Sequence, residues 1–128
     1  MWELSKSFRF EAAHTLMRVA DSEASRRIHG HSYRAEVAIR GTPDAKTGML
    51  IDLGELDRAL ERLRLALDHR FLDEIADLGP ATLENLSAWI WRNLEPLDSA
   101  LRRVTVYRDS TGESCSYLGP AARTADHA

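Results

Sequence analysis

The sequence predicts an α+β domain: a four-stranded antiparallel sheet with two helices on one face. Two observations carry this. From Ile28, the row His29, His31, Tyr33, Ala35, Val37 and Ile39 alternates with Gly30, Ser32, Arg34, Glu36, Ala38 and Arg40, the period-two pattern of a half-buried strand. From Leu53, leucines at 53, 56, 60, 63 and 67 recur at spacings of three and four, the period of a helix with one apolar stripe.

The remaining elements follow in order. Phe8, Phe10, Ala12 and His14 share one face of a first strand, with Ser7, Arg9, Glu11 and Ala13 on the other. The polar stretch from Met17 to Arg27 is too long for a tight hairpin turn. After the turn at Gly41-Thr42-Pro43-Asp44, the apolar run Gly48 to Ile51 is expected to add a short strand segment. Asp52, with Glu55 three residues on, resembles a capping box for the leucine helix at Leu53 to Leu67. Beyond Gly79-Pro80, Thr82 caps a second helix that carries Leu83, Leu86, Ile90 and Leu94 on one side and ends before Pro96. Val104 to Asp109 reads as a strand, Ser110 to Glu113 as a turn and Cys115 to Leu118 as a last strand. The domain is therefore expected over residues 1–119, with a disordered tail at 120–128. Four strands leave two open edges, which favours lateral joining of subunits.

Composition narrows the function classes. A chain of 128 residues, 44% hydrophobic, makes one ordinary domain. The formal net charge of -3 argues against nucleic-acid or anionic-membrane partners. A single cysteine, Cys115, excludes an intramolecular disulfide. Met1 to Leu4 does not lead into a secretory signal or a spanning segment, so the cytoplasm is the expected location.

The histidines carry the chemistry. Residues i and i+2 on a strand project to one side, so His29 and His31 can present two imidazoles to one ion, with His14 from the neighbouring strand as the candidate third ligand. Three neutral nitrogens with an open fourth position suit catalytic zinc. The plain alternative is three histidines satisfied in the core or on the surface; His127 falls in the tail and is set aside. Asp68-His69, just past the leucine helix, is either a helix terminus or a proton-shuttling pair acting here or across a subunit boundary. Glu84 lies in the first turn of the second helix, where the helix dipole favours an acid in any case. Arg26 and Arg27 suit a phosphate-bearing substrate, although a solvated charge pair is the commoner explanation.

Five stretches in order, FRFEAAH (8–14), IHGHSY (28–33), GMLIDLGEL (48–56), LDHRFL (67–72) and ATLENLSAWIW (81–91), resemble the successive motifs of the 6-pyruvoyl-tetrahydropterin synthase and 6-carboxytetrahydropterin synthase family. The resemblance implies the tunnelling fold, in which subunit sheets join into a barrel and two trimeric rings commonly stack into a hexamer with active sites at subunit interfaces. It implies zinc on His14, His29 and His31, and a base pair Asp68 and His69 that works with a cysteine from a neighbouring subunit. It places Thr82 near a pterin ring. The implied reaction is a carbon–oxygen lyase step on 7,8-dihydroneopterin triphosphate or a related pterin- or purine-like compound.

The chain departs from this family in two places. The family's cysteine, four residues before the first histidine of H-G-H, is Ser25 here. An alkyl hydroxyl is far harder to ionise than a thiol with a pKa of about 8.5. A subgroup instead uses a glutamate three residues before that histidine, where this chain has Arg26; Glu23 lies three residues further off. The glutamate that usually anchors the ring's guanidine-like edge is replaced by Arg108, so either Asp109 takes its place through a bulge or the ligand is not an ordinary pterin. Cys115 is expected to be a buried, inert thiol. Two alternatives to a lyase with altered base chemistry stand beside it: a non-catalytic module that keeps zinc and ligand, and a zinc hydrolase of another phosphorylated compound.

Overall fold

The computed structural model describes residues 1–16, 26–94, 97 and 99–121. Glu23, Ser25, Pro96 and the tail from residue 122 onward lie outside the described residues. The elements are β1 (Trp2–His14), β2 (His29–Gly41), α1 (Leu53–Leu67), β3 (Arg70–Phe71), α2 (Leu83–Arg92), β4 (Leu101–Arg108) and β5 (Glu113–Tyr117). They form one five-stranded sheet in the order β3-β1-β2-β4-β5, antiparallel except where β3 joins β1.

The α+β class is as the sequence predicts, but the sheet has five strands rather than four. The additional strand, β3, pairs in parallel with Ala12 and Ala13. The chain leaving α1 is laid along β1 by two bonds: the Glu11 N–H donates to Asp68 Oδ1 at 2.8 Å, and the His69 N–H donates to the Glu11 carbonyl at 2.6 Å. Two residues are too few for an alternation to be visible in sequence. The strand expected at Gly48 to Ile51 does not form. Asp44 closes that segment into a turn, its carboxylate accepting the Lys46 and Thr47 N–H groups and its backbone bonding Gly48 and Met49. Leu50 and Ile51 instead pack against the core.

Both helices occupy their predicted places. The Asp52 side chain caps α1 by accepting the Gly54 N–H at 2.8 Å, and Leu56, Leu60, Leu63 and Leu67 are buried, joined by Ala59. Thr82 caps α2 by accepting the Asn85 N–H, and Leu86, Trp89, Ile90 and Leu94 are buried. α1 lies over β1, and α2 over β4 and β5. Between helices and sheet sits a single core that includes Phe10, Tyr33, Val37, Ile39, Val104 and Val106.

The opposite face of the sheet is charged. Glu3 pairs with Arg40 at 2.7 Å and Arg103 at 3.1 Å, Glu36 pairs with Arg103 at 2.6 Å, and the Arg34 guanidinium stacks on the Tyr107 ring at 3.8 Å. Among the described residues, β3 covers only Ala12 and Ala13 of the β1 edge, and β5 has β4 as its single strand partner. No described helix is long and apolar enough to cross a membrane.

The leucine stripe of α1 is not uniform: Leu60 is 2% exposed and Leu53 is 50% exposed. Leu60→Ala is expected to cost about 2–5 kcal/mol of unfolding free energy. Leu53→Ala is expected to stay within about 0.5 kcal/mol. Urea unfolding of the two variants checks this; equal losses would contradict the packing described.

Candidate metal centre

The β1–β2 register builds the site. His14 pairs directly with His29, and Ala12 with His31, so His31 stands diagonally across from His14 on the same face. The three imidazoles lie with ring centroids 4.5, 4.9 and 4.9 Å apart, and one nitrogen from each falls within 4.8 Å of the others.

Two of the rings are oriented by backbone carbonyls. His14 Nδ1 lies 2.9 Å from the Ala81 carbonyl, just before α2, and His29 Nδ1 lies 2.8 Å from the Arg27 carbonyl. A carbonyl only accepts, so Nδ1 carries the proton in both rings and Nε2 keeps its lone pair. His14 is 2% exposed, and its Nε2 is buried with no hydrogen-bond partner among the described residues. Such an orphaned polar atom costs about 1–3 kcal/mol. An ion shared with His29 and His31 would satisfy it, and three neutral imidazoles are a donor set that suits zinc. Burial holds the His14 pKa below its ordinary value. Burial, reinforced by the Arg108 guanidinium and the neighbouring histidines, lowers His31 to about 4. Both rings are therefore in the neutral, metal-binding form near neutral pH.

The triad opens onto a cavity of about 440 Å³ whose wall includes Tyr33, Thr82, Glu84, Arg108 and Glu113. Thr82, Glu84 and Arg108 are thus brought to the histidines. Asp109 is not. The β4–β5 pairing runs regularly to Arg108 opposite Glu113, with no bulge to turn Asp109 inward. Asp109 is held instead by Arg34, whose Nε and Nη2 donate to its two carboxylate oxygens at 3.0 and 3.2 Å.

Asp68 and His69 also lie apart from the triad cavity within one chain. Asp68 Oδ2 accepts from Arg64 and from His69 Nδ1, each at 3.0 Å. The Glu11 N–H, followed by the His69 ring, holds the Asp68 carboxyl below its usual range. The His69 side chain is 80% exposed and lines a second cavity of about 510 Å³ with Glu11, Ser32 and Phe71; His31 lines both cavities. Arg26 and Arg27 are exposed and are not on the triad cavity's wall, although Arg27 lends its carbonyl to His29. Ser25 falls outside the described residues. Cys115 is partly buried opposite Val106 and does not line the cavity.

Sequence reasoning missed two residues of the wall. Glu113, expected in a turn, is the first residue of β5, and its Oε1 accepts from Arg108 Nη2 at 2.6 Å. Its parity with Cys115 was the available signal. Tyr33 stands in the inward row of β2; its hydroxyl is buried at the cavity with no partner among the described residues, and burial pushes its pKa up to about 12.

An α+β sheet with three histidines gathered at the end of its first hairpin matches one known class. The family model described as 6-pyruvoyl tetrahydropterin synthase matches residues 3–120, and the chain belongs to that family. It is 38% identical over 100 residues to 6-carboxy-5,6,7,8-tetrahydropterin synthase of Synechocystis sp., covering 74% of this chain and 76% of that protein. It is 32% identical over 101 residues to dihydroneopterin monophosphate aldolase of Pyrococcus furiosus, covering 77% and 82% respectively. The chain spans about half the length of several animal 6-pyruvoyl tetrahydrobiopterin synthases that it also matches. The structure of Caenorhabditis elegans 6-pyruvoyl tetrahydropterin synthase superposes with a TM-score of 0.79 at 26% identity, over 93% of this chain and 96% of that one. The fold is the tunnelling fold of this family.

The lowered His31 pKa links stability to pH. Unfolded histidine titrates near 6.5, so as pH falls the unfolded chain binds protons before folded His31 does. Metal-free protein is therefore expected to lose stability between about pH 6.5 and 4. In H31Q that slope should flatten. Parallel stability–pH curves for the two proteins would contradict the half-buried, neutral imidazole.

Proposed function

We propose that this chain is a zinc-dependent lyase of the pterin-synthase type, acting on 7,8-dihydroneopterin triphosphate or a related phosphorylated pterin- or purine-like compound, as a cytoplasmic homo-oligomer. The observation that carries the proposal is the three-imidazole cluster, with His14 Nε2 buried at the wall of a cavity and unpartnered among the described residues. The cavity's volume is in the range of small-molecule sites. Pterins in the names of both the Synechocystis and the Pyrococcus relatives support that ligand class.

Zinc held by His14, His29 and His31 would supply Lewis acidity, polarising a substrate oxygen and acidifying adjacent C–H bonds. The chain's own residues do the rest. The Thr82 oxygen already accepts from Asn85, which leaves its O–H to donate to a ligand. Glu84, at the cavity rim, offers an acceptor. Asp68 accepts from His69 Nδ1 and so orients that ring, leaving Nε2 to take up or return a proton.

A proton-transfer pair whose histidine is open to solvent and lies off the triad cavity is the arrangement expected if each pair serves the triad of a neighbouring subunit. Two sheet edges with unpaired stretches support lateral joining, and the family resemblance makes a hexamer of two stacked trimers the assembly of choice. Ser25 stands where the resemblance puts the thiol. Its hydroxyl cannot take over as a base unaided, so proton transfer falls to His69 and Asp68. Turnover is expected to be lower by the roughly 10²–10⁴-fold credited to a positioned base.

Ser25 also favours a second reading, a binding module that retains metal and ligand without turnover. Incubating zinc-loaded protein with dihydroneopterin triphosphate and following triphosphate release separates the two. The lyase predicts release above the metal-free control, loss of about 10²-fold or more in D68N with zinc retained, and a gain in S25C. Ligand binding with no release from either wild type or S25C would leave the binding module standing.

A further inference from the structure

Arg108 is a guanidinium on the wall of the triad cavity, with only 22% of its side chain exposed. Its Nη2 donates to Glu113 Oε1 at 2.6 Å, its Nη1 lies 3.4 Å from His31 Nε2, and its Nε is buried with no partner among the described residues. The contact with His31 lasts only while that Nε2 has a free lone pair. A neutral imidazole bound to an ion has one nitrogen on the ion and a proton on the other. In either arrangement Nε2 has nothing left with which to accept from Arg108. Filling the triad therefore removes the acceptor of Nη1, and Nε has none among the described residues.

Charge points the same way. Around a divalent ion the three imidazoles are neutral, the positive charge of Arg108 is matched by the negative charge of Glu113, and Glu84 on the same wall offsets only part of the ion's charge, so a net positive charge remains. The Thr111 hydroxyl, followed by Arg108, holds the Glu113 carboxyl below its usual range and so keeps it anionic. Arginine suits such a position better than lysine, because one N–H group can hold Glu113 while others are offered elsewhere.

We propose that, once the triad holds a divalent ion, Arg108 becomes the anion-recognition residue of this cavity, and that the ligand group facing β4 is an oxyanion, a carboxylate or a phosphoryl group, lying beside the ion. This rests on the metal reading above and adds to it the charge of the group that the cavity selects. Glu113 positions the guanidinium and competes with the ligand for it, so its removal and the removal of Arg108 act in opposite directions.

The test uses zinc-loaded full-length protein. Zinc content is measured first, and inorganic phosphate and acetate are then titrated separately by calorimetry into wild type, R108Q and E113Q. The expected result is binding of at least one anion to wild type, about tenfold or more weaker in R108Q at equal zinc content, and tighter in E113Q. Preference for phosphate or acetate identifies which oxyanion the cavity takes. Equal affinities in wild type and R108Q at equal zinc content would overturn the inference while leaving the metal centre intact. Failure of wild type to take up zinc would overturn the metal reading itself, and this inference with it.

Discussion

The register of the β1–β2 hairpin is the constraint on which the rest depends. It sets His14 opposite His29 and brings His31 within one diagonal step. A slip of one residue would turn every inward side chain of one strand to the charged face. The core holds the register in place: Phe10 stacks on Tyr33 with ring centroids 4.9 Å apart, one step along the same faces from the histidines. The metal centre is the point where an apolar row runs out of core and continues as imidazoles. Hydrophobic packing further down the hairpin positions polar atoms at its end, and the same burial keeps His14 and His31 uncharged.

Helices and loops then orient what the sheet supplies. The Ala81 carbonyl, presented just before the capped start of α2, sets the tautomer of His14 and directs Nε2 inward. At the β1 edge of the sheet, Asp68 links the end of α1 to the β1 backbone at Glu11, so the acid that holds His69 is itself fixed by a main-chain bond. The 3.0 Å contact from Arg64 further stabilises that carboxylate in its ionised form.

Features with a sustained period were legible in the sequence. The strands of the first hairpin, both helices and their caps, and the shared face of His14, His29 and His31 all follow from alternation or from three- and four-residue spacing. Features set by short-range geometry were not. β3 is two residues long and exists because two hydrogen bonds lay it along β1. Which of Arg108, Asp109 and Glu113 faces the cavity depends on where the β4–β5 turn begins and ends. The turn spans residues 109–112 with Gly112 at a φ of 83°, so Arg108 and Glu113 pair inward while Asp109 is taken up by Arg34 on the far side. The separation of Asp68 and His69 from the triad is a tertiary relation that no spacing in one chain encodes. Arg108 itself was visible as a departure from the family pattern, but its partner Glu113 became apparent only with the strand register.

The central claim is that His14, His29 and His31 together hold one ion and leave part of its coordination sphere open. X-ray absorption at the zinc edge of zinc-loaded protein tests it most directly. The account predicts one zinc per chain with three imidazole nitrogens at about 2.0–2.1 Å and at least one further light-atom ligand. A spectrum with fewer than three imidazoles, or one dominated by the sulfur of Cys115, would contradict it.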